Sequence, residues 1–210
     1  PGGTLTGIKR FDRVTLHHLR HGAGRETTGK HVRQFAAEVA ELVAGLPMDE
    51  GVLIFTFIER SGIKFRSTIE RALRSRGVDT TATIDTPDGP RERIAFRTWG
   101  EETSCSKHAY CSRVIFAGVM HRSALDIAAH LVGQSDDLLR PVEAREIRDV
   151  ICSEVAHGLY QAMSRGSCRR VDGDQAHEMH AYLIHRDASM RDVLAPVMPG
   201  MQWRRWQGVH

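Results

Sequence analysis

The sequence has no run of about 18 apolar residues, the minimum for a membrane-crossing helix, so no transmembrane span is expected. Only 4 of its 210 residues are cysteine, too few for the disulfide framework of a small secreted domain. Aromatic residues make up just 6%, and neither sign of charge dominates, with a formal net charge of +3. That balance suits a polyanionic partner without locating a basic face. The opening residues, PGGTLTGIKRFDR, lack the charged-then-apolar layout of a secretory signal. They also lack an initiator Met, as an excised piece of a longer chain would. These absences lead to the expectation of a cytoplasmic protein with no membrane partner.

What is present is ordinary for a globular domain. Hydrophobic residues make up 41% and charged residues 26%, and the chain is long enough to bury a substantial core. Residues 1–12 are Gly-rich and read as a linker or arm, 13–200 as a single domain, and 201–210 as a basic-aromatic tail containing Trp203, Arg204, Arg205 and Trp206. Val32, Phe35, Ala36, Val39, Leu42 and Val43 recur at the spacing of an amphipathic helix over 28–46, ended by Pro47 and Gly51. VLIFTF (52–57) and VIFAGV (114–119) predict strands buried on both faces of a parallel sheet, with RIAFRT (93–98) as another strand. Residues 13–20 alternate weakly and carry His17 beside His18, which predicts a polar, half-exposed strand; 181–185 reads as the last one. Helices are predicted over 65–76 (closed by Gly77), 125–132 and 144–165, with a turn around TPDGP in 79–91. Strands alternating with helices indicate an α/β domain with a mainly parallel sheet.

Three segments carry chemistry, and their order matters. VLIFTF places Thr56 near its end, a strand ending at Thr98 opens the polar loop TWGEETS, and the long helix closes on QAMSRGSCRR. The order resembles the second, C-terminal RecA-like domain of superfamily 2 helicases of the bacterial and phage branch. In that family these segments are motifs IV, V and VI. The resemblance covers roughly residues 50–190 and implies a RecA-like three-layer αβα fold. It further implies that this domain supplies arginines to ATP and Mg2+ held mainly by a first RecA-like domain, in the same or another chain. Negative charge spreads over the γ-phosphate oxygens in phosphoryl transfer, so a cation presented across a domain interface stabilises it.

On this resemblance Gln161, Arg165, Arg169 and Arg170 are the catalytic candidates, and Gly100, Glu101, Gln161 and Arg165 lie on the nucleotide side. Thr56, Lys64, Thr98, Thr103 and Ser104 are candidates for DNA or RNA, because hydroxyls and amides at the C-terminal edge of a parallel sheet suit phosphates. The chain departs from the family pattern in three places. Ser164 stands where the family has Gly, the Arg-Gly-Asp-like ending of motif V is absent, and Arg169 lies one position beyond the usual spacing. The last departure leaves the finger between Arg169 and Arg170. A helix continuing through this stretch would bring the four motif VI residues together.

Two other readings stand beside the motor. One is a stand-alone nucleic-acid-binding or protein-interaction module that keeps the fold without motor activity. The other is a P-loop NTPase or kinase, because Gly24–Lys30 fits GxxxxGK and an amphipathic helix follows it. His31 where Ser or Thr would hold magnesium, and a preceding VTLHHLRH that is not an apolar strand, count against this reading. Cys105, His108 and Cys111, with Cys168 elsewhere, do not have zinc-knuckle spacing, and no metal is assigned to them. On the motor reading the isolated chain turns over ATP poorly or not at all.

Overall fold

The computed structural model describes residues 9–21, 25–58, 64–100 and 106–208, with the backbone alone for 25–30. Six strands form one sheet: β1 (Val14–Leu19), β2 (Gly51–Thr56), β5 (Ile94–Thr98), β6 (Cys111–Phe116), β9 (Met179–Ile184) and β10 (Gln202–Arg205). Their order is β10-β1-β9-β6-β2-β5, and every pairing is parallel. Two small hairpins stand apart, β3 (Thr83–Ile84) with β4 (Arg91–Glu92) and β7 (Val171–Asp172) with β8 (Gln175–Ala176). Five helices connect the strands: α1 (Arg25–Ala44), α2 (Phe65–Ser75), α3 (Ala124–Gly133), α4 (Ala144–Met163) and α5 (Met190–Val197).

The layering follows from crossover handedness. The connections β1–α1–β2 and β2–α2–β5 advance one way along the sheet, whereas β6–α3–α4–β9 and β9–α5–β10 run back the other way. Parallel crossovers are right-handed, so the two sets of helices cover opposite faces. The core divides to match. Val39, Val43, Ile69 and Leu73 from α1 and α2 pack on Val52, Ile54 and Ile115. Val155, Leu159, Met163 and Leu194 from α4 and α5 pack with Leu53, Phe55, Val114 and Phe116. This is the RecA-like three-layer αβα arrangement implied by the sequence. The unbroken apolar run of β2 is explained too, since its alternate side chains enter both clusters.

The first strand differs from expectation. β1 lies between β9 and β10, with Val14 and Leu16 fully buried and His18 only 3% exposed. His18 tolerates that position because its Nε2 donates to the His185 carbonyl at 2.8 Å, which satisfies the ring's hydrogen-bonding need. The tail supplies β10, where Trp203 meets His18 edge-to-face and Trp206 meets Tyr182. Helix α5 had no sequence signal, because Pro196 falls inside its last turn. Helix α4 stops at Met163, two residues short of its expected end.

Candidate functional site

The candidate residues divide between the two ends of the sheet. At the C-terminal end, Thr56 and Thr98 are direct register partners on β2 and β5, although they were read from separate motifs. Thr56 is 1% exposed, and its Oγ1 has no hydrogen-bond partner among the described residues. The next residue after Thr98 anchors the loop. Trp99 is buried against Phe55 and Phe116, its amide donates to the Thr56 carbonyl at 3.0 Å, and its indole Nε1 donates to the Gly118 carbonyl at 3.0 Å. Trp99 thereby ties the ends of β2, β5 and β6 together. Sequence reading passed over it in favour of its polar neighbours. Gly100 then turns at φ +100°, a left-handed conformation that L side chains rarely adopt. Glu101, Thr103 and Ser104 lie outside the described residues.

β2 and β6 are neighbours that send their chains to opposite faces, which makes this edge a topological switch point. Helix α2 begins beside it at Phe65, with Lys64 exposed at its N-cap. Arg66 is held over the Phe96 ring at 5.0 Å while its Nε donates to Glu70 at 2.8 Å. The half-buried Thr98, a helix start and cations therefore share one edge, a combination that can hold phosphates.

The residues expected to form motif VI lie at the other end. Gly166 sits against Cys111 and Met179, which open β6 and β9. Gly51, the register partner of Cys111, precedes Thr56 by most of a strand, a separation of roughly 16 Å at about 3.3 Å per residue. Gly100 and Arg165 are thus not neighbours within this domain. The four residues do not share a helix face either. After Met163 the chain turns at Gly166 and makes a 3-10 turn at Ser167–Arg169. Cys168 occupies the position where the family pattern has its second arginine, and it is fully buried with its thiol donating to the Met163 carbonyl at 3.2 Å. Burial pushes that thiol up to about 12. The chain turns inward here: Cys168 fills the core, and the cations Arg169 and Arg170 follow on the outside. Arg169 is exposed, and Arg170 pairs with Asp88 at 3.5 Å. Gln161 and Arg165 are half-buried.

The GxxxxGK segment lies outside a loop for most of its length. Gly24 is outside the described residues, while the backbone from Arg25 to Lys30 is helical, with a kink at His31 (φ −113°, ψ 19°). The loop that would wrap a phosphate is therefore wound into helix. Its preceding strand is buried, so that objection to a P-loop falls while the geometric one replaces it. Cys105 also lies outside the described residues, and among those described no three His, Cys, Asp or Glu residues group as metal ligands. His108 instead accepts from Arg97 Nε at 2.9 Å through Nε2, leaving its proton on a buried Nδ1.

Two histidines have a measurable consequence. His17 is stacked between His180 and Tyr182, and burial first, then His180, Arg204 and Arg113, hold its pKa down at about 4. His108 is held at about 4 by burial, Arg97 and Lys107. The unfolded chain, titrating near 6.5, binds protons that the folded chain refuses. Stability is therefore full above pH 6.5 and falls as pH drops towards 4. Thermal melts between pH 7.5 and 4.5 should show this loss, and His17→Gln should flatten part of it. A melting temperature independent of pH across that window would contradict the buried neutral state.

No protein-family model and no curated protein matches the chain. A structure comparison finds a solved structure of apo XPD, with a TM-score of 0.47 and 9% sequence identity. The alignment covers 94% of this chain and 40% of that one, so this chain spans less than half of its length. No helix among the described residues is long and apolar enough to cross a membrane.

Proposed function

We propose that this domain is the C-terminal RecA-like half of an ATP-dependent nucleic-acid helicase or translocase. The observation that carries the reading is the register pairing of Thr56 with Thr98 on a wholly parallel sheet. It joins two separately recognised motifs into one polar edge, while the arginine turn stands at the far end. Thr98 and the polar edge around it take the phosphate backbone of DNA or RNA, with the buried Thr56 beneath them. The arginine turn faces the ATP and Mg2+ of a first RecA-like domain, where Arg165 and Arg169 neutralise charge developing on the γ-phosphate. Arg169 is the finger on this reading because Arg170 is paired with Asp88. Gln161 orients the turn from the last part of α4. ATP hydrolysis requires the other domain, since the GxxxxGK segment of this chain is helical.

The test is ATPase activity of the chain alone, with and without single-stranded DNA and RNA, alongside binding measured across salt. The expected outcome is no turnover and binding that weakens steeply as salt rises, reflecting counterion release from phosphates. Thr98→Val should weaken binding by about threefold to tenfold, consistent with the loss of one phosphate hydrogen bond. Robust turnover by the isolated chain, abolished by Lys30→Ala, would overturn the half-motor reading in favour of a P-loop enzyme.

A further inference from the structure

The segment entering β1 is strapped onto the arginine turn. Arg10 N donates to the Asp174 carbonyl and Ala176 N to the Arg10 carbonyl, both at 2.8 Å, so that residue 10 bridges the β7–β8 hairpin. Phe11 N donates to the Pro199 carbonyl at 2.8 Å, and its ring is buried in the main core. Lys9 is therefore held by a core anchor two residues away. Its Nζ donates to the Arg169 carbonyl at 3.4 Å and lies 5.1 Å from the centre of the Phe11 ring.

The charges around this point are unevenly compensated. Arg10 is paired with Asp12 at 2.9 Å and Arg170 with Asp88 at 3.5 Å. Between them, neither Lys9 nor Arg169 forms an ion pair with a carboxylate among the described residues. Burial, the larger cause, and the charge of Arg169 both lower the pKa of Lys9, against an opposing pull from Cys168. Two neighbouring uncompensated cations are electrostatically unfavourable unless an anion joins them.

We infer that Lys9 belongs to the anion site at the arginine turn, contacting the polyphosphate of a nucleoside triphosphate beside Arg169 and fixing that turn through its carbonyl. This inference rests on the motor reading of the turn. The ammonium has three donors, so one can stay on the Arg169 carbonyl while another reaches a phosphate oxygen. Movement of the strap would shift Lys9 and the Arg169 backbone together, since a single hydrogen bond joins them.

The test uses the whole chain and inorganic tripolyphosphate as probe, with binding followed by calorimetry and melting temperatures recorded alongside. Lys9→Met should weaken binding about tenfold, the effect of losing one charge-assisted hydrogen bond, with the melting temperature unchanged. Lys9→Arg should retain affinity within about threefold, because the charge is kept. If Lys9→Met binds as tightly as the unaltered chain while Arg169→Ala loses affinity, the assignment of Lys9 is overturned and the arginine turn stands. If Lys9→Arg falls as far as Lys9→Met, charge is not operating and the assignment is again overturned. Unchanged binding on Arg169→Ala, or no binding by the unaltered chain, overturns the anion site at the turn and with it the assignment of Lys9, while the half-motor reading is decided by the ATPase test.

Discussion

Gly166→Ala should lower the melting temperature by about 3–10 °C, an overpacking cost of about 1–3 kcal/mol in a domain of this size. A Cβ at this position would meet Val114 Cγ2 at 2.7 Å, Met179 Sδ at 2.8 Å and the Cys111 carbonyl oxygen at 3.1 Å. All three belong to the first residues of β6 and β9 or to the core beneath them, and the backbone carbonyl cannot rotate away. Relief would have to come from lifting the turn off the sheet. That displacement would also carry Arg165 and Arg169, so tripolyphosphate binding should fall with the melting temperature. Differential scanning calorimetry of the purified variant checks the first effect. A loss below about 1 °C would mean that the turn is slack and that its arginines are not held by packing.

Trp99→Ala is expected to cost about 3–5 kcal/mol, in the range for truncating a large buried aromatic. The indole stacks on Phe116 at 5.7 Å and meets Phe55 at a tilt at 5.3 Å, so its loss opens a cavity between two strands. Trp99→Phe separates packing from hydrogen bonding. It keeps a ring in the cluster and removes the Nε1 bond to the Gly118 carbonyl, leaving that acceptor unpaired at a cost of about 1–3 kcal/mol. Urea titrations of the two variants should rank them in that order, with nucleic-acid affinity following the same order because Thr98 and Gly100 flank the anchor. Equal destabilisation by both substitutions would show that the hydrogen bond, rather than ring packing, fixes the loop.

Much of the fold was legible because burial on both faces leaves an unmistakable pattern. VLIFTF and VIFAGV had no polar face to present, and a strand without one belongs inside a parallel sheet. The register of Thr56 against Thr98 was not legible, since it depends on where two distant segments slide to rest. β1 was misjudged for a different reason. Histidine counts as polar on any scale, yet His18 loses little by burial once a carbonyl accepts its ring proton. The same arithmetic misled the reading of the motif VI stretch. The helix was expected to end at Arg165, and only its continuation would have brought Gln161, Arg165, Arg169 and Arg170 together. The small residues between them, Ser164, Gly166 and Ser167, let the chain turn inward and gave the core position to Cys168. That the chain buries a thiol at Cys168 and exposes the cation at Arg169 was not legible from spacing alone.

The sheet order has a consequence for synthesis. Among the described strands of the sheet, β1 is made earliest but is flanked only by β9 and β10, the latest two. Its apolar side chains Val14 and Leu16 have no sheet neighbour until their partners Met179 and Ala181, about 165 residues later, have been translated, roughly 8–33 s at ordinary elongation rates. Until then β1 has no partner in the sheet, and completing this part of the sheet waits on late strands closing around an early one. Such long-range pairing is intrinsically slow. Yield in a cell should therefore respond to translation speed and chaperone supply more than the stability of the finished domain suggests.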